Sequence, residues 1–320
     1  MLEVYLAQPR GFCAGVGRAI EIVETALEVY GSPVYVLHEI VHNQHVVADL
    51  STRGARFVER LEEIPKGAVV IFSAHGVAGE VEHNAMTSDF EVIDATCPLV
   101  TKVHLEVMRH AEAGREVIVI GHAGHPEIIG TLGRYDTHKG GGIYLVETAA
   151  DVAELDVKDP DNIGFVTQTT LSIDDTKNII DALKARFPSI QRPRQDDICY
   201  ATQNRQNAVR DLAKQVDLLL VVGARNSSNS NRLREVGEHT GVTAYLIPSA
   251  DDIEPAWFNP PMRVGITAGA SAPETLVQEV LEKLRGFDEV EIKPTDGKQE
   301  NVVFRLPNNL LNKKQELATA

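Results

Sequence analysis

The sequence predicts an α/β protein made of three similar units, each built on a parallel sheet. Two observations carry this. Short apolar runs alternate with amphipathic stretches, the pattern of strands and helices that alternate in parallel sheets. The same order of pieces, each with one cysteine, then recurs three times. Cys13 is followed by "HEIVHN" and "FSAHG", Cys97 in "ATCP" by "GHAGHPE" and "TQTT", and Cys199 in "ICYAT" by "ARNSSNS" and "TAGAS". The first step is nearly constant: 29 residues from Cys13 to His42, 28 from Cys97 to His125 and 30 from Cys199 to Asn229. The second is looser, with 33 residues to His75, 44 to Thr169 and 42 to Ser271. Three cysteines buried on unrelated strands would not be expected to keep this register.

The elements follow in order. "MLEVYLAQP" alternates like a strand. Pro9, Gly11, Gly15 and Gly17 then crowd around Cys13, and Ile20, Ile22, Val23, Ala26 and Leu27 recur at helical spacing. "PVYVLHEI", "GAVVIFSAHG", "REVIVIGHAGH", "NIGFVTQTT", "VDLLLVVGAR" and "RVGITAGAS" each read as a buried strand ending in small or polar residues. "LVTKVHLEVMRHAEA", "TTLSIDDTKNIIDALKARF" and "QNAVRDLAKQ" read as helices between them. His104 and His110 fall in the first of these helices and are expected to be solvated or packed. In open parallel sheets ligands gather at the carboxyl ends of strands. Three such units can therefore face one centre, each supplying a cysteine and two polar loops.

Composition narrows the function. The chain has 320 residues, 43% hydrophobic and 24% charged, enough for two or three domains or one large one. No stretch approaches 18 apolar residues and "MLEVYLAQP" has no secretory pattern, so a cytoplasmic protein is expected. A net charge of −15 argues against a general nucleic-acid or membrane binder, though not against a small anion in a local pocket. Three distant cysteines do not read as a disulfide framework.

Three soft thiolates suit zinc or an iron–sulfur cluster. Structural zinc normally uses close C-x₂₋₄-C spacing, and the chain has no CxxC. A cubane held by three cysteines would leave one iron open as a Lewis acid. Glycine and a helix start around Cys13 suit a charged, metal-binding sulfur. Around such a centre the repeat places His42, His75, His125, Glu127, Gln168, Thr169, Thr170, Ser227, Ser228, Asn229 and Ser271. Hydroxyls, amides, imidazoles and strand-end N–H groups of this kind bind phosphate oxygens. Ser227 and Ser228, or Thr169 and Thr170, also suit helix caps. "HEIVH" matches HExxH, but that zinc motif needs a helix and this segment reads as strand and loop. "GVGRAI" lacks the third glycine of a dinucleotide fingerprint, and no P-loop occurs.

Taken together, "GFCAGVGRAI", "HEIVHN", "SAHGV", "DATCPLV", "GHAGHPE", "TQTTLS", "DDICYAT", "NSSNSNRL" and "TAGASAP" resemble the motif set of the 4-hydroxy-3-methylbut-2-enyl diphosphate reductase family (IspH/LytB). The match runs from residue 3 to about 280 in the family's order. The resemblance implies a pseudo-threefold trefoil of α/β domains, 1–96, 97–195 and 196–286, with a C-terminal tail 287–320. It implies a central [4Fe–4S] cluster bound by Cys13, Cys97 and Cys199. A diphosphate would be held by His42, His75, His125, Ser227, Ser228, Asn229 and Ser271, with Thr169 beside it. Glu127, with Thr169, would handle protons, and a reduced cluster nearby would raise the Glu127 pKa. The implied reaction is reductive loss of the allylic hydroxyl to give isopentenyl and dimethylallyl diphosphate, the last step of the methylerythritol phosphate route. Electrons would come from a ferredoxin or flavodoxin; no nucleic acid and no membrane would be involved. A dehydratase-type cluster enzyme such as quinolinate synthase would need carboxylate-binding groups instead. A non-catalytic iron–sulfur sensor would need a DNA- or partner-binding module, and the sequence shows none.

Overall fold

A computed structural model describes residues 1–319. In chain order the elements are β1 (Leu2–Leu6), α1 (Ala14–Tyr30), β2 (Val34–Leu37), α2 (Gln44–Thr52), β3 (Ala55–Val58), β4 (Val69–Phe72), α3 (Gly79–Thr87) and β5 (Glu91–Asp94). They continue as α4 (Pro98–Glu112), β6 (Glu116–Ile120), α5 (Pro126–Leu132), β7 (Ile143–Val146), α6 (Ala149–Glu154), β8 (Ile163–Thr167) and α7 (Ile173–Arg186). The last are α8 (Tyr200–Ala213), β9 (Leu218–Val222), α9 (Ser228–His239), β10 (Thr243–Ile247), β11 (Met262–Ala268), α10 (Glu274–Arg285), β12 (Val290–Lys293) and α11 (Asn308–Thr319). The chain divides into two compact units. The first holds Met1–Val16, His42–Val46 and Tyr200–Val303; the second holds Gly17–Val41, Val47–Cys199 and the stretch from Phe304.

The first unit is built on one sheet of order β10-β9-β11-β1-β12, parallel throughout. Its strands read as continuous apolar runs because both faces are covered. Leu218, Leu220 and Val222 of β9 pack with Leu276, Val277, Val280, Leu281 and Leu284 of α10. The alternate residues Leu219 and Val221 pack with Val209 and Leu212 of α8 and Leu233 of α9. Each fully buried leucine contributes about 1.5–3 kcal/mol.

The second unit holds two parallel sheets, β3-β2-β4-β5 and β7-β6-β8. The latter is extended at β8 by a parallel bridge from Gly164 to Gln191. The three sheets thus share one internal order. A central pair, β2 and β4, β6 and β8, or β9 and β11, leads into the polar loops. Beside each pair lies the strand or bridge that runs on to the next cysteine: β5 to Cys97, Gln191 to Cys199, and β1 to Cys13.

In the first unit the segment after α10 adds β12 to the sheet edge and then reaches Arg205. That arginine is 1% exposed, and its guanidinium donates to the Gly11 and Phe12 carbonyls and to Ala201 O. Glu300 faces it with both carboxylate oxygens at 3.2 Å and accepts from Asn204 Nδ2 at 2.8 Å. A buried guanidinium without its counter-charge is costly, so Glu300→Ala should lower unfolding stability by about 3 kcal/mol, with Glu300→Gln between it and the parent. Urea denaturation checks this; a loss well under 1 kcal/mol would mean that water satisfies Arg205.

Candidate functional site

Each cysteine is the residue immediately before a helix: Cys13 before α1, Cys97 as the N-cap of α4, and Cys199 before α8. There the helix dipole favours negative sulfur. All three are half-buried and outside any disulfide among the described residues. Each cysteine N–H is fixed by one backbone bond to a strand-end loop. Cys13 N donates to Ala270 O at 3.2 Å, Cys97 N to Ala74 O at 3.0 Å and Cys199 N to Thr169 O at 3.1 Å. Of the glycines near Cys13, Gly11 is needed: its φ is +67°, and a Cβ would stand 3.2 Å from Ala272 O. Gly17 has open space around it, so crowding does not explain that glycine.

In the first unit Cys13 is accompanied by His42, Ser227, Ser228, Asn229 and Ser271. The Ser271 hydroxyl donates to His42 O at 2.9 Å, and Asn226 Nδ2 stands 3.4 Å from His42 Nδ1. Ser227 caps α9, accepting from Ser230 N at 3.3 Å and from the Ser230 hydroxyl at 3.1 Å. Ser228 is the first residue of that helix. Asn229 is 4% exposed; its Oδ1 accepts from Ala270 N at 2.8 Å, while its Nδ2 is buried with no protein partner. A buried amide nitrogen without a protein partner, set at a helix start, is an anion-binding arrangement.

The second unit holds Cys97, Cys199, His75, His125, Glu127 and Thr169. The His75 and His125 rings meet edge to face, centroids 5.7 Å apart. His125 is the N-cap of α5, and its Nδ1 accepts from Glu127 N at 3.1 Å. The Glu127 carboxyl is therefore not the cap. Its Oε1 accepts from Thr169 N at 2.6 Å and its Oε2 from the Thr169 hydroxyl at 2.9 Å. Burial pushes Glu127 up to about 7; the Thr169 N–H and hydroxyl pull the other way, and the charge of Asp197 adds to the rise. Burial raises the Glu127 pKa by itself, before any charge that a bound cluster would add. Gln168 links the loops, accepting from His122 N and donating to the Thr170 hydroxyl, both at 3.0 Å.

Other expectations are corrected or sharpened. Thr169 and Thr170 do not cap α7; Ser172 does, accepting from Asp175 N. "HEIVH" leaves β2 as a loop with His38 at φ 63°, and His38 Nδ1 pairs with Glu59 at 2.9 Å. His104 and His110 are packed in α4 and held neutral, burial pulling them down to about 3 and about 4. Two residues were missed. Asn226 touches His42, and buried Asp197 accepts from Thr167 N at 3.0 Å and pairs with Lys102 at 3.2 Å. Asp197 stands inside "DDICYAT", where a carboxylate two residues from a cysteine was the available signal. Among the described residues no three cysteine, histidine or acidic side chains are disposed to hold a single metal ion. A cubane makes a different demand, one thiolate per iron, and three separate thiols at helix starts suit it chemically.

Glu127 binds its proton more tightly folded than unfolded, where its pKa is about 4.5. Its contribution to stability therefore falls as pH rises from about 4.5 to about 7 and is level above that. Glu127→Gln should remove this part of the pH dependence, gaining on the parent across that window. Denaturant unfolding at a series of pH values measures it; a variant that tracks the parent throughout would show that Glu127 ionises normally.

Comparison with known proteins agrees with the motif reading. The LytB protein family matches residues 4–285. A Pseudomonas putida (strain GB-1) protein named 4-hydroxy-3-methylbut-2-enyl diphosphate reductase is 59% identical over 309 residues, covering 97% of this chain and 98% of that protein. An Acinetobacter baumannii (strain AYE) protein of the same name is 58% identical with the same coverage. The solved structure of the E-1-hydroxy-2-methyl-but-2-enyl-4-diphosphate reductase from Plasmodium falciparum is 38% identical and matches with a TM-score of 0.92 over 98% of each chain. Another solved structure, of the reductase described as the terminal enzyme of the non-mevalonate pathway, is 34% identical with a TM-score of 0.64, covering 89% of this chain and all of that one. With a family match across most of its length and relatives near 60% identity, the chain belongs to the LytB family.

Proposed function

We propose that the protein reduces 4-hydroxy-3-methylbut-2-enyl diphosphate to isopentenyl and dimethylallyl diphosphate. The observation that carries this is Glu127: a buried carboxyl with a pKa near 7, both oxygens held by Thr169. Loss of an allylic hydroxyl with two electrons needs two protons, one leaving with the oxygen as water and one ending on carbon. A group half-protonated near neutral pH suits that task. Thr169 fixes the carboxyl's orientation, and its hydroxyl can pass a proton on.

Cys13, Cys97 and Cys199 would hold a [4Fe–4S] cluster, which supplies electrons and a Lewis-acidic iron when bound. His42, His75, His125, Ser227, Ser228, Asn229 and Ser271 would hold the diphosphate, with Asn229 Nδ2 and the α9 N–H groups as its neutral donors. A ferredoxin or flavodoxin would deliver the electrons. No helix among the described residues is long and apolar enough to cross a membrane.

Protein purified without oxygen should contain iron and sulfide and turn over the allylic diphosphate with a reduced viologen. Glu127→Gln should cost roughly a hundredfold in kcat with iron content unchanged. Turnover within a few-fold of the parent would remove Glu127 from the mechanism. Serine at Cys13, Cys97 or Cys199 should lower both iron content and activity. Full activity in any one of these would show that its sulfur is not a ligand.

A further inference from the structure

A groove of about 570 Å³ lies in the second unit along α4, from its first residue, Pro98, to Arg109 in its last turn. Thr96 and Pro98, the residues on either side of Cys97, both line it. So do four cationic side chains, Arg18, Lys102, Arg109 and Arg194, against two acids, Asp94 and Glu106. Asp94 Oδ1 accepts from Thr96 N at 2.8 Å and Glu106 is paired with Arg109, so four cations against two acids leave the lining an excess of two positive charges. Burial and the neighbouring charges of Arg194 and Arg115 all lower the Arg109 pKa, which places these guanidinium groups in one field. Leu105, also lining the groove, is 58% exposed, and Met108 one turn on is 44% exposed. The whole chain carries 31 basic to 46 acidic residues, so this groove inverts the charge of the protein.

We propose that this groove is the docking surface for an acidic one-electron carrier protein, with Arg109 and Arg194 as its charge contacts and Leu105 as its apolar contact. The inference rests on the reductase reading above and names the surface that reading leaves open. A cationic rim around an exposed apolar residue steers an acidic partner and fixes its orientation. The groove borders the peptide of a proposed cluster ligand, so a carrier seated there comes close to that ligand. Each encounter oxidises the carrier by one electron; two encounters supply the two electrons that one turnover consumes. Arg18 and Lys102 are tied inward, to Thr96 O and Asp197, and shape the groove's inner wall.

The test uses flavodoxin and a plant-type [2Fe–2S] ferredoxin as acidic carriers. Their binding is measured calorimetrically over a range of salt, and each is also used to drive turnover. Arg109→Glu with Arg194→Glu should weaken binding of both by about tenfold or more and flatten its salt dependence. Carrier-driven rates should fall while viologen-driven rates hold, because a small reductant needs no docking surface. Arg194→Gln and Leu105→Ala repeat the test with smaller changes should the double variant not fold. Arg56→Glu, on exposed β3, is the control. The proposal is overturned if no carrier binds, if the groove variants bind as the parent does, or if Arg56→Glu weakens binding equally. Absence of viologen-driven turnover in the parent would sink the reductase reading and leave the binding result to be judged separately.

Discussion

One backbone hydrogen bond, made three times, fixes the chemistry of this chain. Each cysteine N–H is held by a carbonyl in a loop that carries a candidate ligand: Ala270 beside Ser271, Ala74 beside His75, and Thr169 itself. The bond follows from sheet order. The strand or bridge that leads to each cysteine lies next to the strand that ends in that loop, so β1 runs beside β11 and β5 beside β4. A parallel sheet sends all its carboxyl ends the same way. A cysteine placed a few residues past one such end, at the start of the next helix, must meet its neighbour's loop. In the first unit the Ala270 backbone serves twice, its C=O accepting from Cys13 N and its N–H donating to Asn229 Oδ1. A shift in that loop therefore moves a thiol and an amide together.

Glu127 shows which effect wins inside such a loop cluster. Two hydrogen bonds from Thr169 favour the carboxylate, and on an exposed acid they would lower the pKa. Burial outweighs them, with the Asp197 charge adding to it. The result lies between a buried acid that never ionises and a bonded carboxylate that never takes up a proton. Thr169 thus has two opposed effects: it orders the carboxyl and limits how far burial can raise it. Position and proton affinity are set by the same pair of contacts.

The central strands were legible because they are buried on both faces. "VVIF", "EVIVI" and "LLLVV" have no polar face to break the run, and their ends carry the motifs. The edge strands were not: β3 "ARFV" and β12 "VEIK" are short, half exposed and without clear periodicity. Helix α8 begins at Tyr200, six residues before the stretch that reads as helical, because Thr202, Asn204 and Arg205 are polar yet buried. Sequence reasoning treats such residues as solvent-facing. The Arg205–Glu300 pair spans 95 residues, and no local pattern announces it. Glu127 was legible as an acid in a loop of donors, but the cause of its raised pKa was not, since burial is a property of the packed fold.

Charge is segregated in a way that net charge conceals. No lysine or arginine stands among the residues proposed to hold the diphosphate. Asn229, Ser227, Ser271 and the start of α9 offer neutral dipoles that the fold has already ordered, so binding an anion there needs little reorganisation. The concentrated cationic side chains lie instead along α4. At physiological ionic strength a field decays over about 8 Å. A net charge of −15 spread over the whole surface therefore matters less to an approaching molecule than the few charges within that distance. A small anion and an acidic protein would both be repelled by the average surface, and each needs a local exception. The helix start can serve the small ligand, which fits among backbone N–H groups. Long side chains on the exposed face of a helix can serve the large one, which cannot.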